Sequence, residues 1–237
     1  MIVEDENRQT APELSILMPC LNEGKTLQKC IDTSRKGIAA AACSAEIVVA
    51  DNGSIDGSQQ IASASGARLV EVLKLGYGSA LMAGIRESRG RWVVMGDADG
   101  SYDFAEIPRF VSELRNGFDL VMGNRFRGGI QPGSMPWHHR YIGNPVLSGI
   151  GRALYRPACG DFHCGIRGFD RMQLLRLNLQ SEGMEFASEM VVRFAKAKLR
   201  ICEIPVFLYP DGRNRRPHLR SFRDGFRHLN LLVRQAF

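Results

Sequence analysis

The stretch WVVMGDADGSYD at residues 92–103 decides the fold class, because a short β-branched apolar run passes directly into glycine and acidic residues. Further short apolar runs lie at 14–20 (LSILMPC), 46–50 (EIVVA), 68–73 and 118–122 (FDLVM). Segments with helical spacing separate these runs, at 25–41, 57–64, 77–88 and 105–116. Continuous apolar strands that alternate with helices are typical of a parallel sheet covered on both faces. We therefore predict an α/β fold with a doubly wound, mostly parallel sheet flanked by helices.

Polar residues follow three of the predicted strands at the point where each strand ends. They are Asn22 with Glu23, Asp51 with Asn52, and Asp97 with Asp99. Asp and Asn are also ordinary turn and helix-cap residues, so a single cluster would indicate little. In open α/β sheets, however, ligands bind beyond the carboxyl ends of the strands. Three such clusters at one edge therefore predict a ligand site.

Asp97 and Asp99 are the sharpest signal among these clusters. Two carboxylates separated by one residue at a strand end can both face a ligand, and hard divalent cations prefer oxygen ligands. Mg²⁺ or Mn²⁺ bound in this way keeps positions open for the phosphates of a substrate. The pair therefore predicts a metal-dependent reaction of a phosphate-bearing substrate.

The charge of the chain is divided unevenly along its length. The net charge is +6, composed of −5 in residues 1–120 and +11 in residues 121–237. The basic half begins with a Gly- and Pro-rich stretch at 127–145, which we predict to be an irregular binding loop. Helices are predicted at 145–154, 171–177 and 185–198, and a strand at 199–207. The excess of positive charge in the second half predicts that this half binds an anionic partner.

The composition narrows the class and the organisation of the protein. Hydrophobic residues make up 44% and charged residues 24% of 237 residues, which excludes disordered and collagen-like chains. The six cysteines form no CxxC pair, which favours free thiols in a reducing compartment. No apolar leader and no stretch of 18 apolar residues is present, so we expect a soluble or peripheral protein. We predict a tail at 1–12, one domain at 13–210 and a basic amphipathic segment at 211–237.

Five motifs in the first half carry a resemblance to a known family. They are LSILMPCLNE (14–23), EIVVADNGSIDGS (46–58), LGYGSALMAGI (75–85), GDADGSYD (96–103) and VMGNRF (121–126). In this order and spacing the chain resembles a family 2 glycosyltransferase with the GT-A fold. MPWHHRYIGN (135–144), DFHCGIRGF (161–169), GMEFASEM (183–190) and the basic tail (211–229) extend the likeness to the dolichyl- or polyprenyl-phosphate sugar synthase branch.

The resemblance implies roles for individual residues of this chain. The residues that would contact the nucleotide sugar are Pro19, Leu21, Asn22, Glu23, Asp51, Asp97 and Ala98. Asp99 would bind the metal, with help from Asp97, and Ser101 stands where this branch often has a metal-binding glutamine. Arg125 would face the phosphates of the donor, and Arg140 is the candidate for the acceptor phosphate. Arg213, counted with the donor site, also fits an acceptor phosphate or a lipid headgroup, as do Arg215, Arg216 and Arg220.

The predicted reaction is inverting transfer of a hexose, glucose or mannose, from a UDP- or GDP-sugar to polyprenyl or dolichyl phosphate. A lipid monophosphate is already ionised near neutral pH and needs no general base. One alternative is transfer to a sugar hydroxyl, with Asp161 as the candidate base. Another is a non-enzymatic protein that binds anionic lipid or nucleic acid, although the balance of −5 in the first half argues against nucleic acid.

The last residues of the chain predict where the reaction takes place. Residues 220–237 combine apolar residues at helical spacing with interleaved arginines. A basic amphipathic helix is typical of binding to an anionic membrane surface, although such a helix can also pack on its own domain. We therefore expect a peripheral enzyme at the cytoplasmic face of a membrane.

Overall fold

The computed structural model describes residues 11–213 and 221–236. The strands of this part are β1 (Leu14–Cys20), β2 (Ala45–Asp51), β3 (Arg68–Glu71), β4 (Trp92–Met95), β5 (Leu120–Asn124), β6 (Gly129–Ile130), β7 (Arg167–Asp170) and β8 (Ile201–Leu208). The helices are α1 (Leu27–Ala41), α2 (Ser58–Ala64), α3 (Tyr77–Glu87), α4 (Ile107–Arg115), α5 (Arg125–Gly128), α6 (Asn144–Tyr155), α7 (Arg171–Arg176), α8 (Phe186–Lys196) and α9 (Ser221–Arg234).

The strands form one sheet in the order β3-β2-β1-β4-β7-β5-β8-β6. Every pair is parallel except those that involve β7, which runs antiparallel between β4 and β5. The predicted mixed α/β fold with a mostly parallel sheet is therefore confirmed. The antiparallel β7 was not predicted, because its four residues, RGFD, lack a continuous apolar run.

Two hydrophobic clusters cover the two faces of the sheet. Successive residues of β1 alternate between them, with Ile16 and Met18 in the cluster beside α1 and α4 and Leu17 in the cluster beside α3 and α8. This alternation follows from the two-residue period of a strand. The inner strands are apolar on both faces for that reason, and their polar residues are concentrated at the strand ends.

The register of the central strands brings the predicted polar clusters to one edge. Cys20 at the end of β1 pairs with Asp51 at the end of β2, and Leu17 pairs with Met95 at the end of β4. The residues that follow these strands therefore leave the sheet side by side. The fold thus places the three acidic clusters at the same carboxyl edge, as the sequence predicted.

The stretch at 127–145 contains more structure than the irregular loop that we predicted. It includes the end of α5, the short strand β6, a π-helical turn at His139–Gly143 and the start of α6. The backbone of β6 pairs with β8, which the Gly-rich sequence did not reveal.

The structure also bears on the cysteines, on membrane-spanning helices and on the two ends of the chain. All six cysteines are free thiols, as predicted. In the described part of the chain, no helix has the length and apolarity needed to cross a bilayer. Most of the predicted tail at 1–12, and Arg215, Arg216 and Arg220 of the predicted basic segment, lie outside the described residues.

Candidate active site

A cavity of about 970 Å³ opens at the carboxyl edge of the sheet. The predicted site residues that line its first end, called here the donor end, are Pro19, Leu21, Glu23, Asp97, Asp99 and Arg213. Its second end, called here the far end, is lined by residues 180–185, α8 and α9. The cavity thus joins the acidic strand ends of the first half to the basic second half.

Asp97 and Asp99 form a charged pair in a poorly hydrated place. The phenol of Tyr77 donates to Oδ1 of Asp97 at 3.0 Å, and the backbone N–H of Ser101 donates to Oδ1 of Asp99 at 2.9 Å. Burial, followed by the charge of Asp99, raises the pKa of Asp97 from 3.8 to about 6, although Arg213 and Tyr77 oppose this shift. Each carboxylate makes ionisation of the other less favourable, and a cation bound between them would remove this repulsion.

Arg213 supplies one such cation from the chain itself. Its Nε donates to Oε1 of Glu23 at 2.8 Å, and its Nη2 lies 3.1 Å from Oδ2 of Asp99. The backbone N–H of Gly212 donates to the carbonyl of Asp99 at 2.8 Å. Arg213 is therefore held at the donor end by its own side chain and by the backbone of its neighbour. The resemblance placed this arginine with the donor site, and the structure brings it to the same acidic residues.

Asp51 and Asn22 shape the turn beside the donor end. Oδ2 of Asp51 accepts hydrogen bonds from the backbone N–H of Gly53 and Ser54 at 3.2 and 3.0 Å. The side chain of Asn22 accepts from the backbone N–H of Ile55 at 2.7 Å. The other oxygen of Asp51, Oδ1, is buried without a hydrogen-bond partner. Neither Asp51 nor Asn22 is part of the cavity lining, so their contact with a nucleotide stays a prediction.

The backbone carbonyls of Ala98 and Ser101 bind neighbouring segments of the chain. The carbonyl of Ala98 accepts from the hydroxyl of Thr26 at 2.7 Å, and the carbonyl of Ser101 accepts from the N–H of Tyr209 at 3.0 Å. Ser101 is buried and is not part of the cavity lining. Its metal-binding role stays a prediction.

Arg125 and Asp161 form a buried ion pair with each other. The guanidinium donates to the carboxylate in a bidentate manner, from Nε at 2.8 Å and from Nη2 at 2.7 Å. Their side chains are 9% and 0% exposed, and neither residue lines the cavity. Both oxygens of Asp161 therefore accept hydrogen bonds from Arg125. The guanidinium of Arg125, which the resemblance predicts to face phosphates, is paired with Asp161 instead.

Arg140 lies apart from the donor end, in the π-helical turn. Its guanidinium carbon stands 5.4 Å from the ring centroid of Tyr141, which is exposed. Neighbouring exposed apolar side chains are Trp137, Ile142 and Val146. The structure thus places the candidate for the acceptor phosphate on an aromatic surface and outside the cavity lining.

Sequence reasoning missed several residues that line the cavity. Tyr77 is one of them. The glycines on either side of it lie very close to the backbone of the 180–183 segment. A Cβ atom on Gly76 would lie 2.2 Å from the carbonyl oxygen of Glu182, and one on Gly78 would lie 2.2 Å from that of Ser181. The glycines in LGYGSALMAGI therefore let the 180–183 segment pack against the start of α3. That spacing of glycines around a tyrosine was the available signal.

The donor end fits a divalent cation that also binds a substrate. In residues 11–213 and 221–236, no group of three or more His, Cys, Asp or Glu side chains is placed to hold a metal alone. Asp97 and Asp99 supply two carboxylates, and Mg²⁺ is usually bound by one or two carboxylates together with substrate phosphates. The residues present therefore match a cation that arrives with a diphosphate.

Comparisons with known proteins agree with this geometry. A family model described as glycosyl transferase family 2 matches residues 15–176. The low-salt glycan biosynthesis hexosyltransferase Agl6 of Haloferax volcanii is 38% identical over 95% of this chain, which spans 54% of the length of Agl6. The uncharacterized glycosyltransferase Rv0539 of Mycobacterium tuberculosis is 33% identical, with 83% of this chain and 85% of that protein covered.

Solved structures share the fold. Glucosyl-3-phosphoglycerate synthase of Mycobacterium tuberculosis, crystallised with Mn²⁺, UDP and phosphoglyceric acid, matches with a TM-score of 0.72 and 20% identity over 95% of this chain and 78% of that one. At this identity the likeness concerns the fold, which is the GT-A fold expected from the motifs. Since the family model covers more than half of the chain and Rv0539 is similar over most of its length, this chain belongs to glycosyl transferase family 2.

Proposed function

We propose that this chain transfers a hexose, glucose or mannose, from a UDP- or GDP-sugar to polyprenyl or dolichyl phosphate, with inversion, at the cytoplasmic face of a membrane. The relative Agl6 is named as a hexosyltransferase of glycan biosynthesis, which supports a sugar-transfer role. The observation that carries the proposal is the arrangement of α9 beside the cavity.

Three rows of side chains run along α9. The row that packs on the protein is buried and consists of Asp224, His228 and Leu232. The row on the cavity side carries Arg223, Arg227, Asn230 and Arg234, and Asp224, Leu231 and Gln235 also contribute to the cavity lining. The exposed apolar row consists of Phe222, Phe226, Leu229 and Val233. A helix that lies in a membrane interface typically has apolar side chains on one face and basic side chains beside them. On α9, the apolar row would contact the lipid tails, and the basic row would contact the phosphate of the lipid.

Two contacts hold α9 in this orientation. Nδ1 of His228 and the hydroxyl of Ser188 in α8 lie 2.8 Å apart, and the hydroxyl of Tyr155 at the end of α6 donates to the carbonyl of Leu232 at 2.5 Å. Phe222 is 96% exposed and Phe226 is 70% exposed. A soluble surface would leave these rings in water, whereas a bilayer would bury them. The buried row of α9 therefore agrees with packing on the domain, and its exposed apolar row agrees with contact with a membrane.

The donor end accounts for the nucleotide sugar in this proposal. Asp97 and Asp99 would hold Mg²⁺ or Mn²⁺, in keeping with the Mn²⁺–UDP and Mg²⁺–UDP complexes of the fold neighbours. When bound, the cation supplies positive charge beside the leaving diphosphate. Glu23 and Asp99 would release Arg213, which would then be free to pair with a phosphate. Guanidinium groups bind phosphate oxygens in a bidentate manner.

The ion pair of Arg125 and Asp161 bears on the nature of the acceptor. A sugar hydroxyl needs a general base, whereas a phosphate is already ionised. Asp161, the candidate base, accepts three hydrogen bonds from Arg125 and is fully buried. This geometry supports an acceptor that does not depend on Asp161.

The experiment is transfer of radiolabelled hexose to polyprenyl phosphate in anionic vesicles. Labelled UDP-glucose and GDP-mannose are supplied in turn, with Mn²⁺ or with EDTA. We expect a lipid-extractable product with one donor and Mn²⁺, and none with EDTA. Asp99→Ala is expected to abolish the product, whereas Glu71→Gln, an exposed change in β3 away from the cavity, is expected to leave it unchanged. A product that forms equally with Asp99→Ala would refute the site, and no product on polyprenyl phosphate from either donor would refute the function.

A further inference from the structure

The segment between β3 and α3, residues 72–76, forms one side of the cavity and is called here the rim loop. Leu75 and Gly76 line the cavity, whereas Leu73 does not. The side chains of Leu73 and Leu75 are 96% and 75% exposed. Burial of these two leucines in the core therefore does not fix the path of the loop, and polar contacts have to do so.

The side chain of Asn52 supplies these polar contacts. Its amide nitrogen donates to the carbonyls of Val72 and Lys74, both at 3.0 Å, and its amide oxygen accepts the N–H of Gly76 at 2.8 Å. Asn52 is buried and lines the cavity. All three partners belong to the rim loop, so one side chain joins the end of β2 to this loop.

These partners require an amide at position 52. Carbonyl oxygens only accept hydrogen bonds and a backbone N–H only donates, so the three partners fix the orientation of the Asn52 amide. A carboxylate of the same shape could accept from Gly76, but its second oxygen would face the two carbonyls with no proton to donate. Asn52→Asp is therefore nearly isosteric, removes two hydrogen bonds and places a negative charge against two acceptors.

Backbone contacts place Asn52 and the rim loop at the donor end. The N–H of Asn52 donates to the carbonyl of Cys20 at 2.9 Å. Cys20 lies between Pro19 and Leu21, which line that end of the cavity. Leu75 stands between the two loop residues that Asn52 binds on either side of it. The side chain of Leu75 is therefore held beside the strand ends where the donor would bind.

The chemistry of this corner matches the nucleoside part of a nucleotide sugar. Pro19, Leu21 and Leu75 give it apolar surface, whereas Asp97 and Asp99 lie where a cation with a diphosphate would bind. A nucleobase has two flat faces, and ligand sites are lined mainly by apolar side chains with a few polar groups that fix orientation. Leu75 is largely exposed to water and would lose that exposure when a base packs on it.

We propose that Leu75 packs on the nucleoside of the donor and that Asn52 is the positioning residue that holds Leu75 there. This inference rests on the proposed function, which supplies the nucleotide sugar. Asn52 follows Asp51, for which the resemblance implies contact with the nucleotide, but Asn52 and not Asp51 lines the cavity. Asn52 acts through the rim loop, because its side-chain amide is already bonded to that loop.

The first test compares two leucines of the same loop. Leu75→Ala and Leu73→Ala remove equal apolar groups, but only Leu75 lines the cavity. UDP and GDP are titrated by calorimetry into the full chain with Mn²⁺. For the nucleotide that the wild type binds, we expect Leu75→Ala to raise Kd about tenfold and Leu73→Ala to leave it unchanged. An unchanged Kd in Leu75→Ala, or an equal rise in both variants, would overturn the contact.

The second test asks whether Asn52 holds the rim loop. Backbone hydrogen exchange is followed by mass spectrometry without nucleotide, so its result does not depend on the proposed function. Asn52→Asp and Asn52→Ala are expected to speed exchange in residues 72–79 about tenfold or more and to leave β5 unchanged. Both variants should also raise the Kd of the nucleotide about tenfold or more. The matched control is Asn116→Asp, an exposed change at the end of α4, which is expected to alter neither quantity.

The pH dependence of nucleotide binding distinguishes these hydrogen bonds from a general loss of structure. A protonated carboxyl at position 52 regains one donor, so the Kd of Asn52→Asp relative to the wild type should fall from about pH 8 to about pH 5.5. Asn52→Ala should show no such recovery. The ratio removes the titration of Asp51 and Asp97, which both proteins share. A constant ratio for Asn52→Asp would contradict the bonds to the two carbonyls.

The remaining outcomes separate the inference from the proposed function. Unchanged exchange of the rim loop in both Asn52 variants would overturn the holding role. Faster exchange with an unchanged Kd would overturn the positioning role, because the loop would then move without consequence for the nucleotide. If Asn52→Asp does not fold, Asn52→Ala gives the same two comparisons. If the wild type binds neither UDP nor GDP, the proposed function fails, and hydrogen exchange then decides whether Asn52 holds the loop.

Discussion

Replacing Asp97 by asparagine should stabilise the metal-free protein. Burial and the charge of Asp99 raise the pKa of Asp97 to about 6 from 3.8. A carboxyl whose pKa is raised on folding contributes stability that is fully present below the unfolded pKa and is lost as the pH rises through the folded one. The difference of about two units corresponds to at most about 3 kcal/mol at pH 7.5. Asparagine avoids this loss and still accepts the hydrogen bond from Tyr77.

The assay is thermal unfolding of the wild type and Asp97→Asn in EDTA. For a chain of this size, about 3 kcal/mol corresponds to a rise in Tm of roughly 6–12 °C at pH 7.5. At pH 4.5 the gain should fall to about 1 kcal/mol, because the wild-type carboxyl is then mostly protonated in the folded state. Addition of Mn²⁺ and UDP should raise the Tm of the wild type and not that of the variant. A variant that is no more stable than the wild type at pH 7.5, with Glu71→Gln as the neutral control, would refute this account of the pair.

Three further predictions follow from contacts of the described residues. Asp161→Asn leaves the buried guanidinium of Arg125 uncompensated and should lower the free energy of unfolding by about 3–5 kcal/mol in a urea titration; a loss below about 1 kcal/mol would contradict the buried pair. Arg213→Gln removes the chain's own cation from Glu23 and Asp99, so Mn²⁺ without nucleotide should bind more tightly by electron paramagnetic resonance; weaker binding would show that Arg213 does not compete. Phe222→Ser with Phe226→Ser removes two exposed rings of α9 and should reduce sedimentation with anionic vesicles at least tenfold; unchanged sedimentation would place the membrane contact elsewhere.

The central sheet could be predicted because its strands are apolar on both faces. Runs such as those of β1, β2 and β4 read as continuous apolar segments, and their polar ends mark one edge. The antiparallel β7 could not be predicted from such a pattern. Its RGFD sequence carries Arg167, which is buried and donates to the carbonyls of Phe162 and Cys164. Tertiary partners, and not periodicity, make this segment a strand.

The donor end could be predicted in part for a similar reason. Short motifs at strand ends place Glu23, Asp97 and Asp99 together through the parallel register alone. The bidentate pair of Arg125 and Asp161 joins residues that are 36 positions apart, and no local pattern announces it. The far end also depends on packing, because α8 and α9 approach each other only in the folded chain. The role of α9 as a cavity wall therefore needed the structure.

The central claim is that the donor end binds a nucleotide sugar together with a divalent cation. Calorimetric titration of UDP-glucose and GDP-mannose into the chain, with Mn²⁺ and with EDTA, tests it most directly. The account predicts that one of the two binds with Mn²⁺, and that this binding is lost in EDTA and in Asp99→Ala. Binding of equal strength in EDTA or in Asp99→Ala, or no binding of either nucleotide sugar, would contradict it.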